Sequence, residues 1–437
     1  MRDFLPEDVR RRRHVIGVIA DVYQRYGFEP LETPSVENLE TLQGKYGEEG
    51  DRLIFKILKR GEGAETGQAD LALRYDLTVP LARVAAEYRG KLPKFFKRYQ
   101  VQPVWRADRP QKGRFREFYQ CDVDALGSTS MVVEAELLAA AADVFLTLGF
   151  TDFQIVVNHR KLLNAVLMHA GIPSALHGPA LVAMDKVDKI GVDGVKKEFA
   201  ERGLPPEAAD KLAALLGPLS QHSLGGFAEQ LNDEGKTAIR ELGELFALAD
   251  CTSAGPFLVL DSYLARGLSY YTGAIFEIRV PDLAGSMGGG GRYDNLIGMF
   301  SGEDVPACGI SLGLERILVV MGERNMFPPS LVASSADVMV VQYFAHRTDL
   351  CLALATELRA GGLRVELYPE APADDNQKGA LVKQFQYAQS RGIPFAVVIG
   401  KAELEAGTVT VRALATRHDE QRPRADVAAY LKKAISG

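Results

Sequence analysis

A chain of 437 residues is too long for one small hydrophobic core, and 47% hydrophobic with 25% charged residues is ordinary globular composition, which excludes disordered, collagen-like and coiled-coil classes. A formal net charge of −6 argues against a general nucleic-acid coat, because such binding rests on neutralising many phosphates, so a nucleic-acid partner would need a local basic patch. The apolar runs at 132–148 and 257–260 are broken by acids or too short to cross a bilayer, and Met1-Arg2-Asp3 opens without an apolar signal core, so a cytoplasmic protein with no membrane contact is expected.

In chain order, Val15, Ile16, Ile19, Val22 and Tyr23 share one face of a helix predicted over Pro6–Tyr26. Gly27 ends it, and Phe28–Thr33 resumes as a strand stopped by Pro34. Short apolar or alternating runs at Ile54–Leu58, Leu71–Tyr75, Phe95–Val104 and Phe115–Val123 predict strands. They should pair antiparallel, since the Gln111-Lys112-Gly113 connection is too short for a parallel crossover. Glu134–Leu148 is an Ala- and Leu-rich helix. Residues 172–250 read as helices separated by Gly and Pro turns, an inserted helical module. Strand character returns at Phe257–Leu260, Ala274–Arg279 and Ala307–Leu312, the last running into a helix over Gly313–Met321. After Pro328-Pro329, strand and helix alternate from Val338 to Ile435, which predicts a small α/β domain with a mostly parallel (mixed) sheet. The expected division is 1–171 with 251–327 as one discontinuous α+β domain on an antiparallel sheet, 172–250 as the insertion, and 331–437 as the C-terminal α/β domain.

Cys121, Cys251, Cys308 and Cys351 contain no C-x-x-C pair, and the seven histidines show no metal-ligand spacing. No protein-dedicated metal site is expected; a metal would arrive with a substrate. Lysines and arginines crowd between Lys91 and Arg116, interleaved with Phe95, Phe96, Tyr99, Trp105, Phe115, Phe118 and Tyr119, so anionic ligands belong in this stretch. Within it, strand periodicity points Arg114, Arg116, Phe118 and Gln120 to one face. Guanidinium forks beside an aromatic ring suit a nucleotide, though an edge strand charged against aggregation would look the same. Arg266-Gly267-Leu268-Ser269-Tyr270-Tyr271 places an Arg-Gly and a Tyr-Tyr pair before a strand, fit either for a ligand or for a turn with two core aromatics. The glycine run Gly288–Gly291 lacks the phosphate-loop and dinucleotide patterns; its glycines should instead let the backbone pass close to a substrate.

Together these segments resemble the class II aminoacyl-tRNA synthetases. The helix–strand ending at Pro34, the hairpin around Arg106 and the Gly309-Ile310-Ser311-Leu312-Gly313-Leu314-Glu315-Arg316 helix stand in the order of that class's three signature motifs. Arg266-Gly267-Leu268-Ser269-Tyr270-Tyr271 and Gly289-Gly290-Gly291-Arg292-Tyr293-Asp294 look like the two histidine-specific motifs of the histidyl-tRNA synthetases, and with Arg74–Pro80 and a C-terminal α/β domain the likeness spans the chain.

The resemblance implies an antiparallel catalytic sheet, a helical insertion gripping the tRNA acceptor arm, an anticodon-binding domain and a homodimer joined through the first motif. It implies that L-histidine is activated with ATP and Mg²⁺ and transferred to tRNA(His). By position, Arg106, Arg114, Phe118 and Arg316 would hold ATP, with Arg106 at the α-phosphate and histidine carboxylate. Asp76, Thr78 and Gln120 would take the α-amino group, Asp124, Tyr270 and Tyr271 the rest of the amino acid, and Arg266 the α-phosphate. Gln111, Lys112 and Arg116 would meet the acceptor end. Asp76 and Asp108 stand where many members carry Glu, and Ser269 where Asp is common. The competing expectation is a catalytically silent, histidine-sensing paralogue similar to the regulatory subunit of ATP phosphoribosyltransferase.

Overall fold

The structure, a computed structural model, describes every residue except 110–112, 185, 217–222, 266–269, 329–330, 332–335, 375–377 and 437, and only the backbone of 48, 49, 64, 188, 189, 206, 378 and 436. The described chain forms two compact units, Met1–Met326 and Phe327–Gly437.

The first unit opens with α1 (Pro6–Arg25), started by a proline at its first position and acids in its first turn, and burying Val15, Ile19, Val22 and Tyr23. The strand expected at Phe28–Thr33 shrinks to β1 (Glu29–Pro30), which ends at Pro30, a residue without an N–H for the ladder; it pairs in parallel with the edge of the main sheet. Next come β2 (Val36–Asn38), α2 (Leu39–Leu42), α3 (Gly47–Asp51), β3 (Lys56–Leu58), α4 (Glu62–Glu65), β4 (Ala69–Leu73) and α5 (Thr78–Glu87). The runs predicted at 54–58 and 71–75 do not join the main sheet. They form a separate antiparallel three-stranded sheet, β2-β4-β3, whose outward face carries Val36, Leu58 and Leu71, all exposed.

The main sheet is built from β5 (Phe96–Trp105), β6 (Glu117–Leu126), β7 (Gln154–His159), β8 (Leu258–Leu260), β9 (Ala274–Arg279), β10 (Gly288–Arg292) and β11 (Ala307–Gly313), in the order β1-β5-β6-β11-β10-β9-β7-β8. Its six inner strands are antiparallel, and only β1 and β8 attach in parallel. Two of these strands escape period-two reading. Five of the six residues of β7 are buried, so it shows no alternation. β10 is Gly288-Gly289-Gly290-Gly291-Arg292, with no β propensity of its own.

Between β6 and β7 lies α6 (Val132–Thr147), apolar all round because it is buried against β11, α1 and α12 (Asp233–Ala249). Helices α7 (Arg160–His169), α8 (His177–Met184), α9 (Val187–Glu201), α10 (Pro206–Leu216) and α11 (Leu224–Ala228) precede α12. A break inside α9 falls at Gly191, whose φ of +64° is the left-handed region that glycine tolerates. After β10 come α13 (Gly298–Ser301) and, straight out of β11, α14 (Leu314–Glu323). Buried Glu315 of α14 accepts from Arg12 Nη1 of α1 at 2.8 Å and from the Tyr119 amide of β6 at 2.9 Å, fixing both helices to the sheet.

The second unit contains β12 (Val338–Val340), α15 (Thr348–Ala360), β13 (Val365–Leu367), α16 (Lys378–Ser390), β14 (Phe395–Val398), α17 (Lys401–Ala406), β15 (Thr408–Ala413), β16 (His418–Pro423) and α18 (Val427–Ser436). Its sheet, β13-β12-β14-β15-β16, is parallel across β13, β12 and β14 and antiparallel through β15 and β16. Helices cover both faces of the parallel part, so every residue of β12 is buried.

Arg292 at the end of β10 makes a buried two-pronged ion pair with Glu134 of α6, at 2.6 and 2.7 Å. Arg292→Ala leaves a buried carboxylate unpaired and should lower the unfolding free energy by about 3–5 kcal/mol. Arg324→Ala removes contacts to the half-exposed Asp152 and Asp282 and should cost less than about 1 kcal/mol. Urea denaturation of the full-length variants compares the two; similar losses would contradict a structural pin at Arg292.

Candidate active site

Strand β6 runs through the middle of the main sheet, and its alternation turns Phe118, Gln120, Asp122 and Asp124 toward a cleft while Cys121 and Val123 pack into the core. The cleft holds about 720 Å³ and is floored by β6, β10 and β11. It gathers ten of the residues singled out from the sequence: Asp76, Thr78, Arg106, Arg114, Phe118, Gln120, Asp124, Tyr270, Tyr271 and Arg316. Arg116 does not line it; its Nε donates to the Asp108 carbonyl at 3.1 Å. Arg266, Gln111 and Lys112 lie outside the described residues.

One end is basic and aromatic. Arg106 Nε donates to the Tyr75 carbonyl at 3.1 Å, and its guanidinium lies 4.4 Å from the Tyr75 ring centre and 5.1 Å from that of Phe118. Arg114, at the hairpin, forms a two-pronged pair with Asp108 at 2.8 and 3.1 Å. Arg316, in the first turn of α14, donates to the Ser286 and Gly113 carbonyls, which aims it over the sheet. Arg98 departs from the expected basic patch. It is fully buried, with Nη2 2.8 Å from Asp124 and 3.9 Å from Asp122, because it stands opposite Asp124 in the β5–β6 register and lies beneath the cleft on the same face.

The other end is acidic and buried. Asp76 Oδ1 accepts from Tyr46 at 2.9 Å and from the Val79 amide at 3.1 Å, whereas its buried Oδ2 has no hydrogen-bond partner among the described residues. Tyr293 donates to Asp124 Oδ1. Burial raises the Asp76 and Asp124 carboxyls above the ordinary range, and Asp122 is pushed up to about 7, first by burial and then by Asp124, against the pull of Arg98. Burial also holds the Tyr270 and Tyr293 phenols protonated.

The glycines of β10 and β11 make this floor possible. A Cβ at Gly309 would overlap Asp124 Oδ1, and one at Gly290 would overlap the Gly309 carbonyl. The close approach seen here is to neighbouring strands of the sheet itself. Asp122, Ser311, Tyr293, Glu277 and Arg279 also line the cleft and were not singled out. For Asp122 the signal was present, since the alternation that selects Phe118 and Gln120 continues to it. For Glu277 and Arg279 there was none short of knowing which face of β9 is open. Among the described residues, no cluster of three His, Cys, Asp or Glu could hold a metal ion, and no helix is long and apolar enough to cross a membrane.

Residues 1–317 match the family model for histidyl-tRNA synthetase, and residues 337–434 that for an anticodon binding domain. The chain belongs to the histidyl-tRNA synthetase family. It is similar to the histidine–tRNA ligase of Gloeobacter violaceus (41% identity, covering 97% of this chain and 95% of that one) and to that of Flavobacterium johnsoniae (42%, covering 95% and 94%). Among solved structures, the histidyl-tRNA synthetase from Nostoc sp. PCC 7120 superposes with a TM-score of 0.81 at 30% identity, over 99% of this chain and 97% of that one. The fold of this family, an antiparallel-sheet catalytic domain followed by a mixed-sheet domain, is the one described above.

The raised Asp122 carboxyl gives a signed pH dependence. Its native affinity for protons exceeds the unfolded value, so ionisation carries no penalty below about pH 4, a growing one up to about pH 7 and a constant one above that. Asp122→Asn removes the penalty and also relieves Asp124. The stability of the variant relative to wild type should therefore rise between pH 4.5 and pH 7.5. Paired thermal melts test this, and a difference that shrinks with pH contradicts it.

Proposed function

We propose that this chain is a histidine–tRNA ligase, activating L-histidine with ATP and transferring it to the 3′ end of tRNA(His). The observation that carries the reading is one cleft with Arg106, Arg114, Arg316 and Phe118 at one end and the orphaned Asp76 Oδ2, Gln120 and Asp124 at the other. A triphosphate and a purine suit the first end, because guanidinium forks pair with phosphate and stack on rings. An ammonium suits the second, where a buried carboxylate oxygen lacks a donor. Asp124 and Tyr271 take the imidazole nitrogens, and a site built of paired polar groups rejects analogues that leave those groups unmatched.

In the first step, a histidine carboxylate oxygen bonds to the α-phosphorus as the bond to pyrophosphate breaks. Negative charge builds on the non-bridging oxygens, where Arg106 and Arg266 supply fixed positive charge; no protein nucleophile is needed. Mg²⁺ enters as part of the ATP substrate, held by phosphate oxygens. In the second step, the terminal ribose hydroxyl of tRNA attacks the aminoacyl carbonyl, AMP leaves, and the adenylate phosphate takes the proton. The 172–250 module meets the acceptor arm, with Gln111, Lys112 and Arg116 at its end, and residues 331–437 meet the anticodon. The uncovered apolar face of Val36, Leu58 and Leu71, next to Pro34, supports a homodimer, since exposed apolar patches of this kind mark interfaces.

Histidine-dependent exchange of pyrophosphate into ATP is the deciding measurement. It should be robust in wild type and fall about 100- to 1,000-fold in Arg106→Ala, the loss expected for a preorganised charge-stabilising donor; Arg266→Ala should fall similarly. A silent histidine-sensing paralogue would show none. Leu71→Asp should convert dimer to monomer in sedimentation; an unchanged wild-type monomer would reject the dimer.

A further inference from the structure

Asp122 is a charged side chain in the cleft to which the proposed reaction gives no task. It is 2% exposed and sits two residues from Gln120 and two from Asp124 on the same face of β6. Its Oδ1 accepts from Gln120 Nε2 at 3.2 Å. The same nitrogen donates to Ser311 Oγ at 2.9 Å, and Ser311 stands directly opposite Asp122 in the β6–β11 register. Both amide protons are therefore committed to the sheet, and Gln120 Oε1 is left facing Arg106 Nη2, 3.4 Å away. On its other side Asp122 lies 3.9 Å from the buried Arg98, which holds Asp124 at 2.8 Å.

A carboxamide is nearly symmetric in shape but not in chemistry. Turned over, Gln120 would present two N–H donors to Arg106 and to an incoming ammonium, which also only donate. Nothing in Gln120 itself prevents that flip; the Asp122 carboxyl oxygen that accepts from its Nε2 does.

We propose that Asp122 is a positioning residue for recognition of the amino-acid substrate, locking the Gln120 carboxamide with its oxygen toward the α-amino group while steadying Arg98 against Asp124. The inference rests on the reading of the cleft as a histidine-activating site. Orientation of one acceptor affects the amino acid and leaves the nucleotide end untouched, so the effect falls on one substrate alone.

Steady-state pyrophosphate exchange by the full chain tests it. Asp122→Ala should raise the KM for histidine roughly 10- to 100-fold, the scale of a hydrogen bond to a charged group, with the KM for ATP within about twofold of wild type and kcat changed less than KM. Asp122→Asn, isosteric and free of the buried charge, covers the case in which the alanine variant fails to fold, and should show the same split. Gln120→Glu supplies a second readout: a carboxylate has no orientation to lock, so adding Asp122→Asn to it should not raise the histidine KM further. The proposal is overturned if histidine and ATP KM values rise together, if the histidine KM in Asp122→Asn stays within about twofold of wild type, or if the two changes simply add. Absence of histidine-dependent exchange in wild type would instead reject the reading of the site.

Discussion

Buried charge beneath the cleft is the constraint from which the rest of this architecture follows. Arg98 is wholly removed from water, and such a group persists only if its hydrogen bonds and charge are answered nearby. Asp124 at 2.8 Å, the Gln100 side chain at 3.0 Å and the Leu77 carbonyl at 3.3 Å answer its two terminal nitrogens, and all lie on or beside β5 and β6. Register between those strands therefore cannot slip, because a one-residue shift would bury these groups against the opposite, apolar face. Two acids beside one guanidinium also leave the cleft floor with more carboxyls than cations. That excess is what polarises the cleft, acid toward Asp76 and Asp124 and basic toward Arg106, Arg114 and Arg316.

The same floor explains an improbable strand. Four successive glycines lose more conformational entropy than any other sequence and offer no side chains to pack. They hold as β10 because β9 and β11 supply hydrogen bonds on both sides and because the space above them belongs to other groups: Leu312 and the Ser311 carbonyl at Gly288, the Gly309 carbonyl at Gly290, and the Ala274 carbonyl and Tyr271 at Gly291 stand where Cβ atoms would be. Propensity loses to tertiary context here, and what it yields is room in the middle of the sheet for a substrate. Arg292 closes the strand with a pin into α6, so a segment without packing of its own is anchored by charge at its end.

Much of this was legible in the sequence for physical reasons that differ by element. The helices α1 and α14 and the long strands β5 and β6 carry strong periodicity, and ten of the site residues fall into the cleft because motif order fixes which strands approach one another. β7 was missed because a strand buried on both faces has no alternation, and β10 because glycine has no propensity. Thr78–Glu87 forms a helix that pattern did not mark; its Pro80 sits in the first turn, where a proline lacks only an N–H that would be unpaired anyway. The edge strand β16, His418-Asp419-Glu420-Gln421-Arg422-Pro423, carries no apolar alternation, and four of its six residues are exposed. The small sheet at 36–73 could not be separated from the main one by pattern, since pairing partners are not encoded in alternation.

Arginines show most clearly what sequence and structure each contribute. By type alone, Arg74, Arg98, Arg106, Arg114, Arg292 and Arg316 are equivalent candidates for an anionic ligand. Burial divides them. Arg74 spends its guanidinium on the Thr33, Pro34 and Pro103 carbonyls, and desolvation lowers its affinity for protons to a pKa of about 10; it splices the segment around Pro34 to β5. Arg98 and Arg292 answer buried carboxylates. Arg106, Arg114 and Arg316 instead line the cleft: Arg106 and Arg316 donate to backbone carbonyls there, and Arg114 shares its fork with Asp108. A guanidinium positioned by neutral groups keeps its field for whatever enters, whereas one paired to a buried carboxylate has already spent it. The division between the arginines that hold the sheet and those that face a ligand is therefore set by what the protein places opposite each fork.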